Sequence, residues 1–191
     1  MNFVYENLIP ALWLAWCVVW LIAARGVKSD RRQESPASRA GHLLPLVVAA
    51  SLLWLPTLPG GFLCGRLWSA TLTTYFTGVA IVALGLGFSI WARLHLGRNW
   101  SGTVTLKENH ELIRSGPYAL ARHPIYTGLL LGFVGSAVSR DEWRGVLAVV
   151  IVFLALWRKF RLEERWMIET FGDAYQSYRN EVPALVPFWF R

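Results

Sequence analysis

Uninterrupted apolar runs constrain this chain more than any other feature. Residues 3–24 and 68–91 are each long enough to cross about 30 Å of hydrocarbon as a helix, which takes roughly 20 residues. Residues 42–58 make a shorter candidate, interrupted by Pro45 and Pro56. Residues 125–139 and 144–157 are shorter still and, joined by SRDEWR, read as a tight helical hairpin that tilts or extends past the bilayer. The expected fold is all-α, an integral membrane bundle of about five transmembrane helices. Three spans fall in residues 1–92, and residues 93–191 hold a cytoplasmic loop, the short hairpin and a C-terminal cytoplasmic helix.

Composition agrees. Charged residues make up 16% of the chain, against roughly 25% in ordinary soluble domains. Eleven tryptophans suit a protein with two membrane–water interfaces. The N-terminal MNFVYENLIP has no basic region and no small-residue cleavage site, so the first run reads as a retained span. Cys17 and Cys64 lie in or beside apolar segments with no CxxC spacing, which argues against a disulfide framework or zinc site.

The formal charge of +7 invites a nucleic-acid reading, but its distribution argues for topology. Of nineteen Lys and Arg, sixteen fall in the 25–39 loop, the 92–124 loop and the tail from residue 158. Arg66, Arg140 and Arg144 alone lie on the other side. The positive-inside rule then places the N-terminus outside and the C-terminus in the cytoplasm, as an odd number of spans requires. A bacterial inner membrane suits this composition.

Several function classes lack their signatures. No internal repeat supports a transporter of inverted halves, and the spans hold no charged pathway. Gly85 and Gly87 form a GxG without its third glycine, and no Walker loop, GxSxG or HExxH occurs. His42, His95, His110 and His123 lack ligand spacing, so no metal is expected.

Three segments concentrate the polar chemistry. The first is GRNWSGTVTLKENHELIRSGPYALARHPIYTG, residues 97–128, a long loop punctuated by glycine and proline. It reads equally well as a site or as an interfacial anchor whose Arg and His reach headgroups. The second is WRKFRLEERWMIETFGDAYQSY, residues 157–178, with adjacent Glu163 and Glu164. If the last span continues as a helix, Lys159 and Glu163 share a face, and an ordinary solvated pair would explain them. The third is the ending YRNEVPALVPFWF, an extended segment packing back on something apolar. Residues 28–40 read as a flexible connector.

RHPIYTG, the hairpin, the paired glutamates and FGDAYQSYRNEV, in that order, resemble the isoprenylcysteine carboxyl methyltransferase family. Related membrane phospholipid methyltransferases share the pattern, which covers residues 97–188. The resemblance implies an enzyme that uses S-adenosylmethionine to esterify a lipid-bearing carboxylate. It implies a cofactor site of His110, Glu111, Leu112, Ile113, Tyr118, His123, Pro124, Ile125, Tyr126 and Glu163. Arg122 is assigned with Glu163 to the catalytic centre, orienting an anion or holding the folded geometry. Lys159 falls where the family has a substrate-facing arginine, and Thr103 where eukaryotic members have glutamine. Lysine cannot form the bidentate fork with a carboxylate, which leaves the acceptor open.

Methyl transfer is an in-line displacement. A carboxylate acceptor is already ionised at neutral pH and needs no base, whereas an amine must lose a proton. Alignment and dryness then supply the rate. The cofactor comes from water and the acceptor from lipid, so both must meet at the boundary where Arg122 and His123 stand. The hairpin's shortness suggests a sideways opening to lipid beside it, which a bulky residue at Gly128 would block. The expected partners are a lipid or prenylated small-molecule acceptor and membrane lipids, with no nucleic acid. A phospholipid N-methyltransferase, a nicotinamide-dependent sterol reductase and a non-catalytic membrane scaffold are the alternatives.

Overall fold

A computed structural model describes residues 7–25, 30–55, 61–69, 71–100, 105–107 and 112–185. Among them run six α-helices: α1 Leu8–Ala23, α2 Pro36–Trp54, α3 Leu72–Leu96, α4 Pro124–Arg140, α5 Trp143–Phe171 and α6 Asp173–Glu181. Two short strands, β1 Asp30–Gln33 and β2 Thr105–Lys107, pair antiparallel. Helices α1 to α5 alternate in direction, packing α3 on α4, α2 on α5, α4 on α5 and α1 on α3.

Boundaries shift from the sequence expectation for local reasons. Helix α2 begins at Pro36, because Ser35 caps it by accepting from the Ser38 amide at 3.2 Å and proline suits the first turn. The connector expected at 28–40 is therefore helical from residue 36, and the helix runs through Pro45. Helix α5 continues unbroken from the hairpin to Phe171, where Gly172, at φ 51°, turns the chain into α6. The division expected at 92/93 falls inside α3, which continues to Leu96.

Two helices, α2 and the extended α3, are long and apolar enough to cross a membrane. Only 17% and 33% of their apolar windows are buried within the protein. Core helices of a soluble protein would be mostly covered. Leu44, Leu84 and Leu154 instead stand 64%, 74% and 58% exposed, and such faces need an apolar surrounding.

The tightest seam runs between α3 and α4. Gly78 and Gly85 on one helix face Gly135 and Gly128 on the other. A Cβ at Gly85 would sit 2.7 Å from the Gly128 carbonyl and 2.9 Å from the Gly132 amide. Small residues let the backbones close to this distance, as in helix pairs that associate in lipid. Gly128, where a bulky residue is expected to block a lateral opening by the hairpin, has no room for a side chain: a Cβ there would clash with the Gly85 carbonyl and with Ser89. The residue belongs to the seam.

The end of the bundle bearing Arg66, Arg140 and Arg144 is closed by polar contacts. Arg140 and Arg144 donate to the carbonyls of Leu53 and Leu55 at the end of α2. Asp141, in the left-handed region at φ 67°, accepts from the Trp68 amide at 2.9 Å. Trp13 and Trp16 of α1 donate to Ser136 and Ser89, both at 3.1 Å, fixing that helix against α3 and α4.

Gly85→Ala is expected to lower the thermal stability of the detergent-purified protein by about 1–3 kcal/mol, the usual range for overpacking. Gly87→Ala is the control, since its new Cβ meets open space. Thermal melts of the pair should separate clearly.

Candidate active site

The chain enters α4 through a turn held by the C-terminal segment. The amides of Arg122 and His123 donate to the carbonyls of Pro183 and Ala184, both at 2.9 Å. Ala184 and Leu185 are buried there against Phe160. The packing-back expected of the ending is thus seen as far as residue 185, and the remainder lies outside the described residues. Pro124 opens the helix, where a missing N–H leaves no intrahelical acceptor wanting.

Arg122 and Glu164 form the buried centre. The Arg122 Nε donates to Glu164 Oε1 at 2.8 Å, and its Nη2 lies 2.7 Å from the same oxygen. Its Nη1 donates to the carbonyls of Arg179 and Val182, the former at 3.1 Å. Arg179 Nε stands 3.6 Å from Glu164 Oε2, and His123 Nε2 stands 3.4 Å from Oε1. Burial alone would raise the Glu164 pKa. The hydrogen bond and charge of His123, with those of Arg122, outweigh it and hold the carboxyl down at about 2.

Glu163 points elsewhere, because adjacent residues on a helix diverge by about 100°. Its Oε1 accepts from the Tyr126 hydroxyl at 2.5 Å, and its Oε2 lies 3.6 Å from His123 Nδ1. The His123 ring therefore stands between two carboxylates. It stacks on Tyr126 at 5.5 Å and 6°, and on Phe160 at 5.1 Å and 27°. The ammonium of Lys159 lies 5.2 Å from the Tyr126 ring centroid. Lys159 is buried, so the solvated pair that would explain it on a surface helix does not describe it.

A second set of contacts fixes the SGPY turn. Gly116 has φ 59°, and a Cβ there would meet the His95 ring at 2.8 Å. His95 bonds Ser115 Oγ at 2.9 Å and stacks on Tyr118 at 6.3 Å. The Tyr118 carbonyl accepts from the Tyr178 hydroxyl at 2.5 Å. Burial raises the pKa of both phenols above the ordinary tyrosine value, so Tyr178 keeps the proton it donates.

Of the residues singled out from sequence, Arg122, His123, Tyr126, Lys159 and Glu163 share one cluster. Tyr118, Ile125 and Ile113 pack together beside it with Tyr126, and Leu112 precedes them. His110, Glu111 and Thr103 lie outside the described residues. Sequence reasoning missed Glu164 as the clamp's centre, and it missed His95, Tyr175 and Tyr178. The YxxY spacing of 175 and 178, which puts both rings on one face of α6, was the available signal. Among the described residues no three His, Cys, Asp or Glu gather as metal ligands would.

A family profile described as phospholipid methyltransferase matches residues 73–174, over half of the chain. The protein-S-isoprenylcysteine O-methyltransferase of Schizosaccharomyces pombe is 29% identical over 117 residues, covering 58% of this chain and 48% of the relative. The probable protein-S-isoprenylcysteine O-methyltransferase of Oryza sativa subsp. indica is 30% identical over 148 residues, covering 74% and 75%. The cobalt-zinc-cadmium resistance protein CzcN of Cupriavidus metallidurans is 28% identical over 113 residues, covering 58% and 52%. The chain spans about half the length of the first and third of these relatives. A helical bundle with apolar outer faces, matched by that profile across its closest helix seam and its ion cluster, defines the class of phospholipid-methyltransferase-type membrane proteins. Within it, the chain belongs to the isoprenylcysteine carboxyl methyltransferase family.

The Glu164 carboxyl is held below its unfolded value, so unfolded chains take up its proton first as pH falls. Its contribution to stability is full above about pH 4.5 and declines toward pH 2. Glu164→Gln is expected to flatten the dependence of melting temperature on pH in that window. A variant with the unchanged slope would show that the clamp does not hold the fold.

Proposed function

We propose that this protein is an S-adenosylmethionine-dependent carboxyl methyltransferase acting at the cytoplasmic face of a membrane. Its acceptor is a lipophilic, isoprenylcysteine-like carboxylate. Helices α1 to α5 each cross the bilayer, with the N-terminus outside and the C-terminus in the cytoplasm. The alternating directions of the helices and the sixteen basic residues of the 25–39, 92–124 and C-terminal segments support this topology.

One observation carries the reading. A half-buried carboxylate, Glu163, stands against an aromatic wall of Tyr126 and His123 beside the buried Arg122–Glu164 pair. The donor set fits the cofactor. Glu163 has one hydroxyl on Oε1 and lone pairs to spare for an ammonium or a ribose hydroxyl. Tyrosine and histidine faces suit both a sulfonium and an adenine. When bound, S-adenosylmethionine supplies an electrophilic methyl group on a sulfonium.

The chain's own residues then do three things. Glu163 and Tyr126, fixed to each other, hold the cofactor's polar end, with Ile125 and Pro124 as apolar flooring beneath. Lys159 offers a positive charge to the acceptor's carboxylate. Arg122 touches neither and acts as a positioning residue, because its guanidinium is spent on Glu164 and on the carbonyls of Arg179 and Val182. No proton has to move. Rate comes from alignment, for which about 7–11 kcal/mol is available, and from exclusion of water as the opposite charges meet.

The profile's description favours one second reading, N-methylation of a phospholipid amine, in which the acceptor must first lose a proton. Labelled methyl transfer to an N-acetylated S-farnesylcysteine, compared with phosphatidylethanolamine, separates the two. Transfer to the farnesylcysteine is expected, and exclusive labelling of the phospholipid would replace the first reading with the second. By calorimetry, Glu163→Gln should weaken cofactor binding at least tenfold, about 1.4 kcal/mol, and Tyr126→Phe should do so by a smaller factor.

A further inference from the structure

Helix α2 brings a polar group to this site that the chemistry above does not use. His42 is 1% exposed, on a helix otherwise facing lipid and core. Its Nε2 lies 3.4 Å from Glu34 Oε1, and neither ring nitrogen makes a hydrogen bond among the described residues. A buried polar group left in this condition costs about 1–3 kcal/mol, which a merely structural histidine would not carry without return. The pair also sits beside the site. Arg158 donates to the Ser38 carbonyl at 2.9 Å, pinning the first turns of α2 to α5 one residue before Lys159. His42 lies in the field of Lys159, and Tyr126 in the field of Glu34. His42 precedes the segment matched by the family profile, residues 73–174.

The charges explain what the pair could serve. Lys159, Arg158 and Arg39 all act on His42 against the single charge of Glu34, so an imidazolium there would add to an excess of cations. A bound anion offsets that excess. The acceptor proposed above brings a single carboxylate to this place, and Lys159 alone cannot give it a two-point grip. We propose that His42 is a second acceptor-binding residue, donating from Nδ1 to the substrate carboxylate beside the Lys159 ammonium, while Glu34 holds the ring by Nε2. The assignment rests on the carboxyl-methyltransferase reading and deepens it. Two donors on separate helices replace the fork of a single arginine, and α2 becomes a wall of the acceptor site.

The test uses the full chain in detergent, with saturating S-adenosylmethionine and N-acetyl-S-farnesylcysteine as acceptor. His42→Leu should raise the acceptor KM at least tenfold while the cofactor Kd, measured by calorimetry, stays within twofold. His42→Asn, whose amide N–H falls near the position of Nδ1, should recover much of that loss. An unchanged KM, a parallel loss of cofactor affinity, or an Asn variant no better than Leu would each overturn the assignment. Absence of any transfer to this acceptor by the unsubstituted protein would instead remove the carboxyl-methyltransferase reading, and the His42 assignment with it.

Discussion

The ion pair between Arg122 and Glu164 is the constraint on which the rest of this site depends. It joins three parts of the chain that are distant in sequence: the entry to α4, the C-terminal half of α5 and the return after α6. A buried pair of this kind is weak evidence for net stability, since desolvating both ions costs about what their attraction returns. What it does supply is a fixed geometry. With Arg122 committed to Glu164, His123 must stand between Glu163 and Glu164, and Tyr126 must meet Glu163. The residues proposed to touch the cofactor are held by one that does not.

The helix seam does comparable work deeper in the bundle. Glycines at 78 and 85 against 135 and 128 let α3 and α4 approach until backbone meets backbone. That closeness sets how α4 lies against α3, and with it where the HPIY turn stands. At the opposite end, Arg140 and Arg144 cap the last carbonyls of α2, so the hairpin's tip is tied as firmly as its base. The bundle is held at both rims by arginine and in the middle by close contact of small residues. In lipid, where apolar burial between helices drives little, those are the available means.

Much of this was legible in the sequence, for definite reasons. Apolar length marked the helices, and the basic residues marked one end of the bundle. RHPIY, with the glutamate pair, marked through its resemblance to a family the cluster proposed as the site. Less could be read where direction mattered more than identity. Nothing in Glu163-Glu164 says which carboxylate is buried, because that depends on how α5 is rotated against Arg122. Glycine spacing at 78, 85, 128 and 135 carried a signal in its seven-residue interval, but its partner helix had to be known before it meant anything. His42 lies at the start of the 42–58 apolar run, and its sequence signal goes no further than a lack of metal-ligand spacing. The packing of α2 on α5 puts it under the charge of Lys159.

The central claim is that the Arg122–Glu164 pair builds the cofactor site, and a double-mutant cycle read on S-adenosylmethionine affinity tests it most directly. Arg122→Met leaves Glu164 with only the longer contacts to Arg179 and His123, and Glu164→Met leaves Arg122 with backbone carbonyls alone, whereas the double variant removes both charges. The account expects the double loss to fall short of the summed single losses by about 1 kcal/mol or more. Losses that simply add, within about 0.3–0.5 kcal/mol, would mean that the pair and the site are independent, and the account would fail.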